Sequence, residues 1–126
     1  MAGDPASWGR LLRRAEYQRV SRGKRVNAAG FTLQAARSPE GETEQGPRYG
    51  LTVTKKTGNS PQRHRIKRRL REAMRLVSPL DARPDHDYVL MARRDALTLA
   101  FDALVADIAG AIQRAHAARR LRDERT

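Results

Sequence analysis

The 126-residue chain has no cysteine, which excludes structural disulfides, thiolate zinc sites and cysteine nucleophiles and fits a reducing compartment. Aromatic residues make up 5% of it (Trp8, Tyr17, Phe31, Tyr49, Tyr88 and Phe101), so the one modest core that its length allows has few large anchors. No apolar run approaches the roughly 18 residues of a membrane span, and Met1 to Arg14 contains no uninterrupted apolar stretch of secretory type; the expectation is a soluble cytoplasmic protein. Acidic residues are scarce as well. Against 14 Asp and Glu stand 26 Lys and Arg, a net charge of +12 and a pI near 11.4. That balance favours a polyanionic partner, with nucleic acid ahead of an anionic membrane surface.

Residues 1–9 (MAGDPASWG) lack periodicity and read as a flexible leader, in which Trp8 is large enough to dock on the body. Leu11, Leu12, Tyr17 and Val20 fall on one face of a short helix that Gly23 can end. Val26, then Phe31, Leu33 and Ala35, alternate with polar residues on either side of a turn at 27–30, predicting two short strands. Residues 38–47 (SPEGETEQGP) have loop composition, and Arg48 to Lys56 alternates again as a strand. A turn at Thr57-Gly58-Asn59 leads to Ser60 as N-cap and Pro61 at the first position of a helix running to Val77. Asp87 to Arg93 is a buried strand, and Leu97, Phe101, Leu104, Ile108 and Ile112 mark a last helix beginning near Asp95. The sum is an α+β, single-domain, two-layer αβββαβα sandwich with a four-stranded sheet. Its domain spans 10–119, and 120–126 form a charged tail.

Charge is concentrated in one place. Residues 54–75 hold nine Lys and Arg against Glu72 alone, a net +8 within 22 residues. On a helical wheel with Ile66 at zero, Leu70, Ala73, Met74 and Val77 lie within about 80°, while His64, Arg65, Lys67, Arg68, Arg69, Arg71 and Arg75 occupy the arc from about 100° to 300°. A charge run is usually a solvated face of mixed sign. Here the signs are not mixed, and like charges at i,i+4 repel unless something anionic neutralises them. Arginine dominates, which suits forked hydrogen bonds to phosphate. Lys55 and Lys56 end the preceding strand, and the Gly58-Asn59-Ser60 turn presents backbone N–H groups at the positive end of the helix dipole. GNSP alone is only a capped turn, and no Walker A spacing follows.

Lys55-Lys56-Thr57-Gly58-Asn59, Arg63-His64-Arg65, Lys67-Arg68 and Arg71-Glu72 together resemble the signature of the bacterial ribonuclease P protein component. The likeness extends to Glu16-Tyr17-Gln18-Arg19-Val20, to Gly50-Leu51-Thr52-Val53-Thr54 and to Asp87–Arg93 with the amphipathic helix after it, covering residues 10 to about 115 in order. The resemblance implies a small basic subunit that assembles with a catalytic RNA, binds precursor tRNA and supports removal of the 5′ leader. It also implies that the basic helix contacts the RNA through Lys55, Lys56, Asn59, Arg63, His64, Arg65, Lys67, Arg68 and Arg71, and that a cleft between this helix and the sheet receives the single-stranded leader. If Phe31, Leu33, Leu51 and Val53 face the core, Thr32, Gln34, Thr52 and Thr54 share the opposite face and form a polar floor. Tyr17 either stacks on a leader base or packs the first helix.

The chain departs from the family pattern in having Arg63-His64-Arg65 where an Arg-Asn-Arg triplet is usual. Ser21 and Gln34 replace frequent aromatics, which implies weaker discrimination among leader bases. No self-contained catalytic set is visible. His64, His86 and His116 are scattered and read as surface or RNA-facing residues, and the polarity of Asp85 and Asp87 fits a turn leading into a strand. The chemistry is expected to lie with Mg²⁺ ions held mainly by the partner RNA. Two other readings stay open: an RNA-binding module of ribosomal-protein type, and a DNA recognition helix, the latter disfavoured by the lack of a preceding helix-turn.

Overall fold

The computed structural model describes residues 8–79 and 82–125, the stretch from 118 onward as helix backbone only. In chain order it comprises β1 (Gly9–Arg10), α1 (Arg14–Ser21), β2 (Lys24–Asn27), β3 (Phe31–Arg37), β4 (Arg48–Thr52), a 3-10 turn (Lys55–Thr57), α2 (Ser60–Leu76), β5 (His86–Ala92), a second 3-10 turn (Arg94–Leu97) and α3 (Phe101–Arg125). The sheet has five strands in the order β1-β4-β5-β3-β2, one more than the sequence predicts. The additional strand is built by two residues that alternation cannot reveal. Gly9 and Arg10 pair in parallel with Arg48 and Tyr49, and the Trp8 indole N–H donates to the Val77 carbonyl at 2.8 Å. Trp8 and Gly9 therefore belong to the body rather than to a leader, while residues 1–7 lie outside the described residues.

Strand β5 is threaded into the middle, antiparallel to β3 and parallel to β4. Both its faces are covered, which is why Tyr88 to Ala92 is continuously apolar. One sheet face carries Phe31, Leu33, Tyr49, Tyr88 and Leu90, and these form one core with Ile66, Leu70, Ala73 and Met74 of α2 and Leu104, Ile108 and Ile112 of α3. The other face is packed by α1, whose Val20 meets Leu11 and Val89. Helices thus lie on both sides of the sheet, a correction to the expected two layers. Gly50 permits the close approach of α1, because a Cβ there would sit 2.4 Å from the Tyr17 hydroxyl.

Two helix starts differ from expectation. Asn59, not Ser60, caps α2: its side-chain oxygen accepts from Gln62 N at 2.9 Å, and the Gln62 side-chain oxygen accepts from Asn59 N at 2.9 Å, a reciprocal capping box. The last helix begins at Phe101 rather than Asp95. The Arg69 guanidinium binds the carbonyls of Ala96, at 2.7 Å, and of Leu99, acceptors that a continuous helix would give to its own N–H groups.

Asp87, read from sequence as turn polarity, is a buried strand residue on the α1 face of the sheet. Arg48 grips it with two bonds of 2.8 and 2.9 Å, and Arg19 of α1 adds a third. Glu16 closes on Arg48 at 3.4 Å. Burial raises the Glu16 pKa, but N–H bonds from Arg13 and Leu12 and the Arg48 charge outweigh it and leave the carboxyl below its ordinary 4.5. His86 and His116, expected at the surface, are buried. The His86 ring lies 2.7 Å from an Asp85 oxygen, and Tyr88 Oη lies 2.6 Å from His116 Nε2. Burial pushes the Tyr88 phenol up to about 12.

Asp87→Ala strands two guanidinium groups and is expected to lower unfolding stability by about 3 kcal/mol or more, read from urea denaturation. A carboxyl whose folded pKa is depressed stabilises the fold above its unfolded pKa and loses that contribution as pH falls through the folded value. Stability should therefore drop on acidification below pH 4.5, less steeply in Glu16→Gln.

Candidate nucleic-acid interface

The rotation of α2 follows from its apolar stripe. Ile66, Leu70 and Ala73 are fully buried and Met74 nearly so, and everything opposite them on the wheel must face water. Arg63 and Arg69, each about 60° from Ile66, flank the stripe and turn inward: Arg63 donates to the Gly58 carbonyl at 2.9 Å, and Arg69 clamps the second 3-10 turn. Sequence assigned Arg69 to the outward arc, and the structure gives it this structural task instead.

Apart from Arg75, the other cations of the helix are in no ion pair among the described residues. His64, Arg65, Arg68 and Arg71 are exposed and Lys67 is half-buried. His64, Lys67, Arg68, Arg71 and Glu72 line an open depression of about 260 Å³. The one acid of the helix, Glu72, pairs with Arg75 at 3.3 Å. Among the described residues no ion pair involves Lys55, Lys56, Arg65, Lys67, Arg68 or Arg71. Lys55 and Lys56 sit exposed in the first 3-10 turn, which the Thr57 hydroxyl closes by donating to Thr54 O at 2.6 Å. The row of like charges repels by a few tenths of a kcal/mol per pair. The apolar stripe holds it in place, and phosphate groups would neutralise it. Asn59 also faces water, with its carbonyl oxygen already engaged in the cap.

The expected polar floor is realised in part. Tyr17, Thr32, Gln34 and Thr52 do share a sheet face, the one opposite α2. Its wall is therefore α1, not the basic helix, a correction to the cleft placed between that helix and the sheet. Because β5 separates β3 from β4, the cross-strand row is Thr32, Met91, Thr52, with a thioether between the two hydroxyls. Thr32 is buried and donates to Asn27 at 2.9 Å. Gln34 is buried with its amide nitrogen unpaired. Thr54 has left the ladder and is exposed. Tyr17 packs over Gly50 and is half-buried, so its packing role is realised. Sequence reading missed Arg93, which reaches Asn27 and Thr32 at 3.2 Å each; nothing in local periodicity singles it out. The described residues contain no group of three or more His, Asp or Glu side chains placed to hold a metal ion.

Comparison with known proteins gives a consistent result. The family model described as Ribonuclease P matches residues 7–123. A ribonuclease P protein component from Ruegeria pomeroyi is 43% identical over 108 residues, covering 85% of this chain and 86% of that protein. One from Paramagnetospirillum magneticum is 40% identical, covering 86% and 88%. Among solved structures, the RNase P protein of Thermotoga maritima superposes with a TM-score of 0.68 at 20% identity, covering 83% of this chain and 96% of that one. The Staphylococcus aureus protein gives 0.67 at 24%, covering 86% and 96%. These two likenesses speak for the fold.

Loss of the helix cap should be visible without any ligand. Asn59→Ala is expected to lower stability by about 1 kcal/mol in urea titration, with Asn59→Asp close to the parent protein.

Proposed function

Since the chain belongs to the ribonuclease P protein family, we propose a division of labour in which its residues bind and position RNA while the partner RNA performs the cleavage. The protein is the protein component of an endoribonuclease that works with an RNA partner in maturing the 5′ ends of tRNA. Lys55, Lys56, Asn59, Arg63, His64, Arg65, Lys67, Arg68 and Arg71 are the residues proposed to meet the catalytic RNA. Seven of these nine, all but Asn59 and His64, carry exposed or half-exposed charge that meets no carboxylate among the described residues, and that observation carries the assignment. Guanidinium forks at Arg65, Arg68 and Arg71 suit phosphate oxygens. His64 brings a ring donor and acceptor where the family usually has an amide.

The single-stranded leader of precursor tRNA is proposed to run over the α1 face of the sheet, along Tyr17, Thr32, Gln34, Thr52 and Thr54. With Thr32 hydrogen-bonded internally and Gln34 buried, Thr52, Thr54 and the Tyr17 ring are its accessible contacts. Sparse aromatics there suit a leader held more by phosphate attraction than by base stacking. Mg²⁺ held mainly by the RNA would supply the activated water for attack on the phosphodiester, and the chain's own part is to attract, align and retain the substrate. A cytoplasmic location belongs to the same reading; among the described residues no helix is long and apolar enough to cross a membrane.

The deciding assay mixes the purified chain with ribonuclease P RNA and precursor tRNA at low Mg²⁺, omitting each component in turn. Processing should depend on the protein, whereas an RNA-binding module of ribosomal type would leave it unchanged. Arg65→Ala with Arg68→Ala should flatten the dependence of log affinity on log salt by up to about two units, at 0.7 to 0.9 per phosphate. An unaltered slope and affinity would remove α2 from the interface.

A further inference from the structure

A second cationic surface lies on the opposite side of the sheet. Residues 10–25 contain seven Lys and Arg and one acid. The acid, Glu16, pairs with Arg48, and Arg19 is bound to Asp87. Arg13, Arg14, Arg22, Lys24 and Arg25 are all exposed, and no ion pair among the described residues involves any of them. Tyr17 and Val20 turn the inner side of α1 to the sheet, so Arg14 and Arg22, about 80° apart on the wheel and about 12 Å apart along the axis, share its outer side. The Gly23 turn, closed by its N–H to the Val20 carbonyl at 3.0 Å, carries the track on to Arg25 of edge strand β2, which is in register with Gln34 of the α1 face, while Lys24 beside it is in register with Ala35 of the other face.

Charged residues on an edge strand discourage strand pairing, which accounts for Lys24 and Arg25 but not for the helix arginines. A membrane surface asks for an apolar face beside the cations, yet α1 has already buried its apolar side, leaving Leu12 as the lone large exposed apolar residue nearby among the described residues. Four of the five cations are arginine, the composition suited to phosphate forks.

We propose that the α1–β2 corner is a second RNA-backbone site, which engages an RNA segment different from the one met by α2, so that the protein is held between two parts of its ribonucleoprotein. The two cationic faces look away from each other across the sheet, since α1 and α2 pack on its opposite sides. This rests on the RNA-binding reading of α2 given above.

The test uses the holoenzyme reconstituted with ribonuclease P RNA, probed by hydroxyl-radical footprinting and by affinity against salt. The triple variant Arg14→Ala, Arg22→Ala, Arg25→Ala should flatten the salt slope by about two units. It should also expose RNA positions that stay protected in the Arg65→Ala, Arg68→Ala protein, and the corresponding triple Lys variant should restore both. Thermal unfolding of the free triple variant should match the parent. A parental slope in the triple variant overturns the proposal, as does exposure of the same RNA positions by both sets of changes. Loss of binding to phosphatidylserine vesicles with RNA affinity intact overturns it by assigning the corner to lipid. If the α2 variant alone leaves slope and footprint unchanged, the reading of α2 fails, whatever the triple variant does.

Discussion

The rotational setting of α2 is the constraint on which the proposed RNA-binding surface depends. Ile66, Leu70, Ala73 and Met74 lock one edge of the helix into the main core, so the cations cannot turn inward without exposing those side chains to water. Burying a side chain of this kind is worth roughly 1.5–3 kcal/mol for the larger ones, several times the few tenths by which each like-charge pair repels. The core therefore wins the local conflict and holds His64, Arg65, Lys67, Arg68 and Arg71 in an arrangement that would not persist on an isolated peptide. An unfavourable surface is maintained by a favourable interior, and the proposed RNA partner would relieve the repulsion.

A second fixture acts on the other side of the sheet. The Asp87 carboxylate, gripped by Arg48 from β4 and Arg19 from α1, joins three elements far apart in sequence. Such a buried network adds little stability beyond what apolar packing would give, but removing one member leaves stranded charge. Its geometric effect is to seat α1 across part of the α1-facing sheet surface. Thr52 and Met91 remain half-exposed beyond the helix, whereas Gln34 is closed off. Asp85, His86, Tyr88 and His116 are linked through the His86–Asp85 and Tyr88–His116 contacts and take no part in either cationic face.

All six aromatic residues are used for packing, and the rings of Trp8, His86 and His116 surround Tyr88: Trp8 meets Tyr49 and Tyr88 edge to face, and the rings of His86 and His116 lie 4.9 Å apart. A chain with few aromatics places them where they close the core and has few left over for stacking on bases. That economy suits the proposed grip on RNA through phosphate attraction.

Local sequence determined what depends on near neighbours. The 3.6-residue period over Ile66, Leu70, Ala73 and Met74 fixed both the helix and the outward direction of its arginines. Alternation marked β3 and β4, and the continuous apolar run at 88–92 marked a strand covered on both sides. Tertiary structure alone decided the rest. The insertion of β5 between β3 and β4 put Met91 between Thr32 and Thr52. The pairing of Gly9 and Arg10 with β4 made a fifth strand, and the packing of α1 on the far face moved the polar floor away from the basic helix. Each of these depends on contacts between residues dozens of positions apart, whose partners leave no periodic trace in the chain. The same holds for Asp87 and Arg69: a charged side chain looks alike in sequence whether it meets water, a buried guanidinium or the open end of a helical turn.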